Sequence, residues 1–344
     1  MNSPRQKPVL AAACIFPLIL IILITGCTGS GLPQAAPPFT ASPSPTATPA
    51  RTRTPSPTAS STPSPSPTAT PTITLTPTPA PAVILAAGDI ALCGLDYDEQ
   101  TAAILQRYPE AAVLAVGDTV QDSGRAVEYQ NCFEPSWGRF KERIYPVPGN
   151  HDYMTESASP YYTYFGSLAG EPGAGYYAFD LNGWHIIGLN SNCNDIACGN
   201  ESRQVEWLRQ ELQARAGGCT LLFFHHPRFS SGLAGNYGSV SRFWRVAYEN
   251  GADVILSAHD HHYERFAPQD PDGNADPQNG IRQFVVGTGG APLRALGETK
   301  PNSEIRDNST HGVLKLELYP GSYTWTFLPV EGGTFTDSGT TQCH

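Results

Sequence analysis

Five short apolar runs, each ending in a cluster of chemically capable residues, constrain this chain more than any other feature. Val83-Ile84-Leu85-Ala86-Ala87 stops at Gly88-Asp89, and Ala112-Val113-Leu114-Ala115-Val116 stops at Gly117-Asp118. Ile144-Tyr145-Pro146-Val147 leads into Pro148-Gly149-Asn150-His151-Asp152. The run 221–224 ends in His225-His226-Pro227, and 253–256 runs into Ser257-Ala258-His259-Asp260-His261. Runs this short, apolar throughout, suit strands buried on both faces of a sheet. Helical patterns lie between them at 98–107, 202–216 and 243–250. In the second of these, Ser202 is placed to cap and Val205, Leu208 and Leu212 share one face. Asn182-Gly183 between 176–181 and 184–189 predicts a tight hairpin. A late β region is predicted at 283–286, 313–318 and 323–328. Strands alternating with helices predict an α/β fold of sheets flanked by helices. Such folds place their chemistry just after the C-terminal ends of strands, where all five clusters stand.

The rest of the chain is organised differently. Residues 1–27 carry Arg5 and Lys7, an apolar run over 9–24, and then Thr25-Gly26-Cys27. A basic start, a short apolar core and small residues before a cleavage point read as an export signal. Ile24-Thr25-Gly26-Cys27 looks like a bacterial lipobox, with Cys27 as the lipidated residue; an uncleaved membrane anchor is the alternative. Residues 28–81 are mostly Pro, Ser, Thr and Ala, with little to bury, and read as an extended spacer. At about 3.1 Å per residue such a spacer reaches on the order of 150 Å. Residues 82–344 are then one large folded domain outside the cytoplasm. Six of the eight cysteines fall in it, an even number that favours disulfides in an exported domain. Cys193 with Cys198 is the first expected pair and Cys93 with Cys132 the second. The formal net charge of −10 argues against nucleic acid as the partner, but not against small anions at a metal site.

Each polar cluster is weak alone, since Gly-Asp turns and His-x-His loops are common. Together, in this order and each at a strand end, they read as a metal site. The order resembles the calcineurin-like metallophosphoesterases, and within them the purple acid phosphatases more closely. The most specific pieces are Ala258-His259-Asp260-His261-His262-Tyr263-Glu264-Arg265 and Val147-Pro148-Gly149-Asn150-His151-Asp152. The resemblance implies a four-layer α/β/β/α sandwich. It also implies two metal ions, Fe, Mn or Zn, that deliver a metal-bound hydroxide to a phosphate ester. Asp118 is expected to bridge them, with Asp89 and His261 on one ion and Asn150, His225 and His259 on the other. His151 is expected to serve the leaving oxygen or the transition-state charge, with Asp152 holding its imidazole.

Two positions depart from the family pattern. Ala91 stands where many members have His, and Gln121 stands where purple acid phosphatases have Tyr. The Asp89 side is therefore expected to be the poorer in ligands. His226, Arg228 and His262 remain open between phosphate contact and structural roles. Gly287-Thr288-Gly289-Gly290 lacks the Lys of a phosphate loop, and 270–276 lacks the Glu of a calcium loop; both read as turns.

The reading is a metal-dependent phosphoesterase outside the cell, foremost a phosphomonoesterase of small esters, membrane-held through its lipid. A phosphodiesterase or nucleotidase on the same centre is the alternative enzyme. A non-catalytic surface binding module is the alternative of another class.

Overall fold

The computed structural model describes residues 80–344 apart from Ala216. The expected signal, the lipidation at Cys27 and nearly all of the spacer lie outside the described residues. The chain begins with β1 (Ala82–Ala87), α1 (Tyr97–Gln106), β2 (Ala112–Val116), the one-turn α2 (Ala126–Glu128), β3 (Ile144–Val147) and α3 (Ser159–Phe165). It continues with β4 (Tyr177–Leu181), β5 (Trp184–Gly188), α4 (Arg203–Ala214), β6 (Thr220–Phe223), α5 (Ser241–Glu249) and β7 (Val254–Ser257). The rest is strand: β8 (Tyr263–Phe266), β9 (Arg282–Val286), β10 (Ser303–Asp307), β11 (Gly312–Tyr319), β12 (Ser322–Pro329) and β13 (Ser338–Gln342).

Two sheets result. One runs β13-β12-β11-β1-β2-β3, the other β10-β8-β9-β7-β6-β5-β4. β1, β2 and β3 are mutually parallel, as are β5, β6, β7 and β9. The apolar runs explain the layering, because alternate residues of a strand face opposite ways. Ile84, Ala86, Leu114 and Val116 meet Ile186, Leu221, Phe223, Val254 and Leu256 in one core between the sheets. Leu85, Ala87 and Val113 point the other way, onto Ala102, Ile104 and Leu105 of α1. Ile187, Leu222 and Ile255 pack outward onto Val205, Leu208, Phe243 and Trp244 of α4 and α5. Helices thus cover both outer faces, giving the four-layer α/β/β/α sandwich.

The local expectations hold closely. Ser202 caps α4 by accepting from Val205 N–H (3.2 Å). Asn182 (φ 51°) and Gly183 (φ 82°) form the β4–β5 turn, with both central residues left-handed as a two-residue hairpin requires. Both expected disulfides are present, together with Cys219–Cys343, which ties β6 to the C-terminus. The expected late β region divides: β9 joins the second sheet beside β7, whereas β11 and β12 return to the first beside β1. No described helix is long and apolar enough to cross a membrane.

Candidate metal centre

The loops after β1, β2, β3, β6 and β7 converge between the two sheets. The first sheet contributes Asp89, Asp118, Asn150 and His151; the second contributes His225, His259 and His261. Three of these residues pay for their placement with backbone strain: Asp89 (φ 56°), Asp118 (φ 46°) and His259 (φ 69°) are all left-handed without being glycine. Glycine provides the room. A Cβ on Gly117, itself at φ 81°, would fall 2.5 Å from the His225 ring, and one on Gly149 would collide with the Asp118 carboxylate.

The donor atoms face one another. His225 Nε2 lies 3.2 Å from Asp118 Oδ2, 3.2 Å from Asn150 Oδ1 and 3.2 Å from His259 Nδ1. His261 Nε2 lies 3.4 Å from Asp89 Oδ1. Each imidazole has its outward nitrogen engaged. His225 Nδ1 donates to Val116 O (3.0 Å), His261 Nδ1 donates to Pro292 O (2.8 Å), and His259 Nε2 pairs with Tyr237 Oη (2.7 Å). Fixing the outer nitrogen presents the lone pair of the inner one, which is how proteins orient imidazole ligands. Two inward nitrogens at contact distance, beside a carboxylate and an amide oxygen, make a set that suits a borderline cation. Donor atoms of Asp118, His225 and His259 all lie within 4.8 Å of one another.

The charges complement each other. Burial alone would raise the Asp89 carboxyl, but His261, His225 and His259 carry it well below the usual carboxylate range. Burial opposes charge on His225, yet Asp118 and Asp89 hold its imidazole up at about 9. Burial likewise opposes charge on His261, and Asp89 raises it. Burial and the charge on His225 push His259 down to about 4. The buried carboxylates and the imidazoles thus shift one another in complementary directions.

Gln121 occupies the place that its sequence position suggested. Its Nε2 donates to Asp89 Oδ1 (3.1 Å) and lies 3.5 Å from Asp118 Oδ2. Ala91 brings no donor to this side; its backbone pairs with Val120 instead. His151 N–H donates to Asp118 Oδ1 (2.8 Å), and its ring extends over the centre with Nε2 3.9 Å from Asp118 Oδ2. Its Nδ1 is buried without a partner among the described residues.

Asp152 is placed otherwise than expected. It makes no hydrogen bond to the His151 imidazole. Its carboxylate accepts from Gly149 N–H (2.8 Å), Tyr129 Oη (2.6 Å) and Thr119 Oγ1 (3.1 Å). Burial and Asp118 raise it to about 7. Asp152 is therefore the clasp that fixes the β3 loop to the β2 loop, one layer behind the chemistry. Spacing alone pointed to His151 because Tyr129 and Thr119 are distant in sequence.

The open positions divide as well. His262 bonds Glu264 (3.1 Å) and Arg228 reaches Pro271 O (3.2 Å), both structural contacts. His226 accompanies the site. Its Nδ1 pairs with Ser191 Oγ (2.9 Å), and burial with the charge on His225 keeps it neutral. It lines a small cavity of about 70 Å³ with Asn150, Asn192, Asp195, Tyr237 and Ser239, walled by the loop that Cys193–Cys198 closes. Tyr237 and Ser191 had no signal in the sequence: each sits in a loop, and only the fold brings Tyr237 to His259 and Ser191 to His226. The 270–276 run is a turn, in which Asp270 Oδ1 accepts from the N–H groups of Asp272 and Asn274 (both 2.9 Å).

Known proteins resemble this chain in sequence and fold. The family profile "Calcineurin-like phosphoesterase" matches residues 82–263, over half of the chain and inclusive of all six candidate ligands. Purple acid phosphatases 21 and 22 of Arabidopsis thaliana are each 31% identical over 153 residues, a stretch covering 41% of this chain and 34% of those relatives. Among solved structures, purple acid phosphatase PPD1 of yellow lupin (Lupinus luteus) superposes with a TM-score of 0.62 at 17% identity. That match covers 77% of this chain and 55% of that one. GAP50, the anchor in the inner membrane complex of Plasmodium, superposes at 0.59 and 12% identity, covering 77% and 90%. These structural likenesses show the shared fold, and the matched sequence spans about a third of the curated relatives (34%). With the profile match spanning every strand that carries a candidate ligand, the chain belongs to the calcineurin-like phosphoesterase family.

Proposed function

We propose that this chain is an extracytoplasmic metal-dependent phosphoesterase that releases phosphate from small monoesters, tethered to a membrane through lipid on Cys27. The observation that carries the proposal is the set of inward-facing nitrogens, each with its outer nitrogen tied, set against two buried carboxylates. Asp118 would be shared between two ions. Asp89 and His261 would complete one, and Asn150, His225 and His259 the other. When bound, such a pair supplies Lewis acidity and a water that ionises near neutral pH.

The chain's own residues do the rest. Asn150 offers a neutral oxygen, which adds no negative charge toward an anionic ester. The His151 ring stands between Asp118 and solvent, where it can donate a proton to the leaving oxygen. The Asp152 clasp holds that ring in place through the backbone of the β3 loop. Three disulfides in the folded part support an oxidising compartment.

The test is phosphate release from alkyl and aryl monoesters beside a matched diester, before and after chelation. Metal-dependent turnover with monoesters ahead supports the proposal. Faster diester cleavage would make the chain a phosphodiesterase, and bound metal without turnover on any ester would leave a binding module. His151→Ala should slow alkyl esters, which have poor leaving groups, more than nitrophenyl phosphate; equal slowing would exclude proton donation.

A further inference from the structure

Resting on the phosphoesterase reading, a second recognition element stands at the rim of the same centre. The segment 292–294 wraps the candidate ligand His261. Pro292 O accepts from its Nδ1 (2.8 Å), and Arg294 N–H donates to its carbonyl (3.0 Å). The Arg294 carbonyl in turn accepts from Asn308 Nδ2 (2.9 Å). The Arg294 backbone is thus fixed on both sides, directly against a ligand, while its side chain is exposed.

That guanidinium makes no hydrogen bond or ion pair among the described residues. Other arginines of the second sheet are committed: Arg265 pairs with Asp337 (2.7 Å) and Arg282 with Glu304 (2.7 Å). A cation whose backbone is bonded to a candidate ligand and whose fork is free, in a chain of net charge −10, is available to an anionic partner from outside.

We infer that Arg294 is a specificity-determining residue whose guanidinium takes a non-bridging oxygen of a terminal, doubly charged phosphoryl group. A monoester presents two charged oxygens at neutral pH. A diester replaces one terminal oxygen with an organic substituent and keeps two that share a single charge, so it offers the fork a weaker partner. Planar bidentate geometry suits phosphate oxygens better than the point charge of lysine.

The experiment uses metal-loaded wild type, Arg294→Gln and Arg294→Lys. Metal content and the unfolding midpoint should not change. Arg294→Gln should lower kcat/KM for nitrophenyl phosphate roughly 10- to 100-fold, the worth of a charged hydrogen bond. It should change bis-nitrophenyl phosphate by less than about twofold, because the diester carries a single charge and no third terminal oxygen for the fork. Calorimetry with inorganic phosphate should show a Kd weakened by a similar factor, partly recovered in Arg294→Lys. Equal losses on both esters, or unchanged phosphate affinity, would overturn the inference. Wild type that cleaves neither ester would instead sink the phosphoesterase reading, and phosphate calorimetry would still judge Arg294.

Discussion

The two sheets bring unlike halves to one centre. The first supplies oxygen, from Asp89, Asp118 and Asn150 at the ends of β1, β2 and β3. The second supplies nitrogen, from His225, His259 and His261 after β6 and β7. The oxygen half is held by strained backbone and by N–H donors, as where His151 N–H meets Asp118. The nitrogen half is held by carbonyls and a phenol. Hydrogen bonds brace the halves across the gap, among them His225 Nδ1 to Val116 O of β2, and His259 N–H to Asp89 Oδ2 (2.8 Å). Neither half is a binding site alone, so the centre depends on the core packed between the sheets.

That dependence is open to breaking. The largest effect should come from Asp118→Ala, which removes the carboxylate proposed as shared and the anchor of His151. Both ions and turnover should fall to background; retention of two ions would show that Asp118 does not bridge. Next is Phe223→Ala, a fully buried side chain in the inter-sheet core. It should cost about 3–5 kcal/mol in denaturant unfolding. It should also weaken metal retention, since the halves would be less well registered. Lost stability with undiminished metal affinity would mean that each half is organised by itself.

The halves should also differ in protonation. The oxygen half arrives ionised, because Asp89 is held well down despite its burial. The nitrogen half arrives carrying protons, with His225 raised to about 9. An entering cation must eject that proton wherever His225 is charged, which is below about pH 9. Apparent metal affinity should therefore rise as pH rises toward 9 and then level off, by about tenfold per pH unit for each proton released. Calorimetry in buffers of different ionisation heat counts those protons. Affinity independent of pH between 6 and 8, on the order of the same Kd throughout, would contradict the assignment.

The smallest effect lies within the centre. The Asp89 side has Gln121 where the resembling phosphatases have Tyr, and no tyrosine oxygen bonds Asp89, Asp118 or His261 among the described residues. Its ion should leave first in mild chelator, and iron-loaded protein should lack the tyrosinate-to-iron band. A strong visible band would show that another Tyr, such as Tyr237, reaches the metal.

Sequence revealed one level of this design and concealed another. The candidate ligands were legible as a group because doubly buried strands read as unbroken apolar runs, and the fold brings together the residues where those runs stop. Asn182-Gly183 was legible because so few residues accept its backbone. Which sheet a strand joins was not, since an apolar pattern reports burial and not partners: β9 pairs with β7, whereas β11 pairs with β1. β8 was hidden inside the His259–Arg265 motif, where ligand chemistry and strand formation share one short stretch. Asp152 was misjudged for a related reason: proximity in sequence favoured His151, whereas the fold offered Tyr129 and Thr119.

The most direct measurement pairs metal content with turnover on the same sample. Purified protein should hold two ions per chain, hydrolyse a phosphate monoester, lose that activity as chelation empties the centre, and regain it when metal is restored. Undiminished hydrolysis in protein verified to be metal-free would contradict the account at its root.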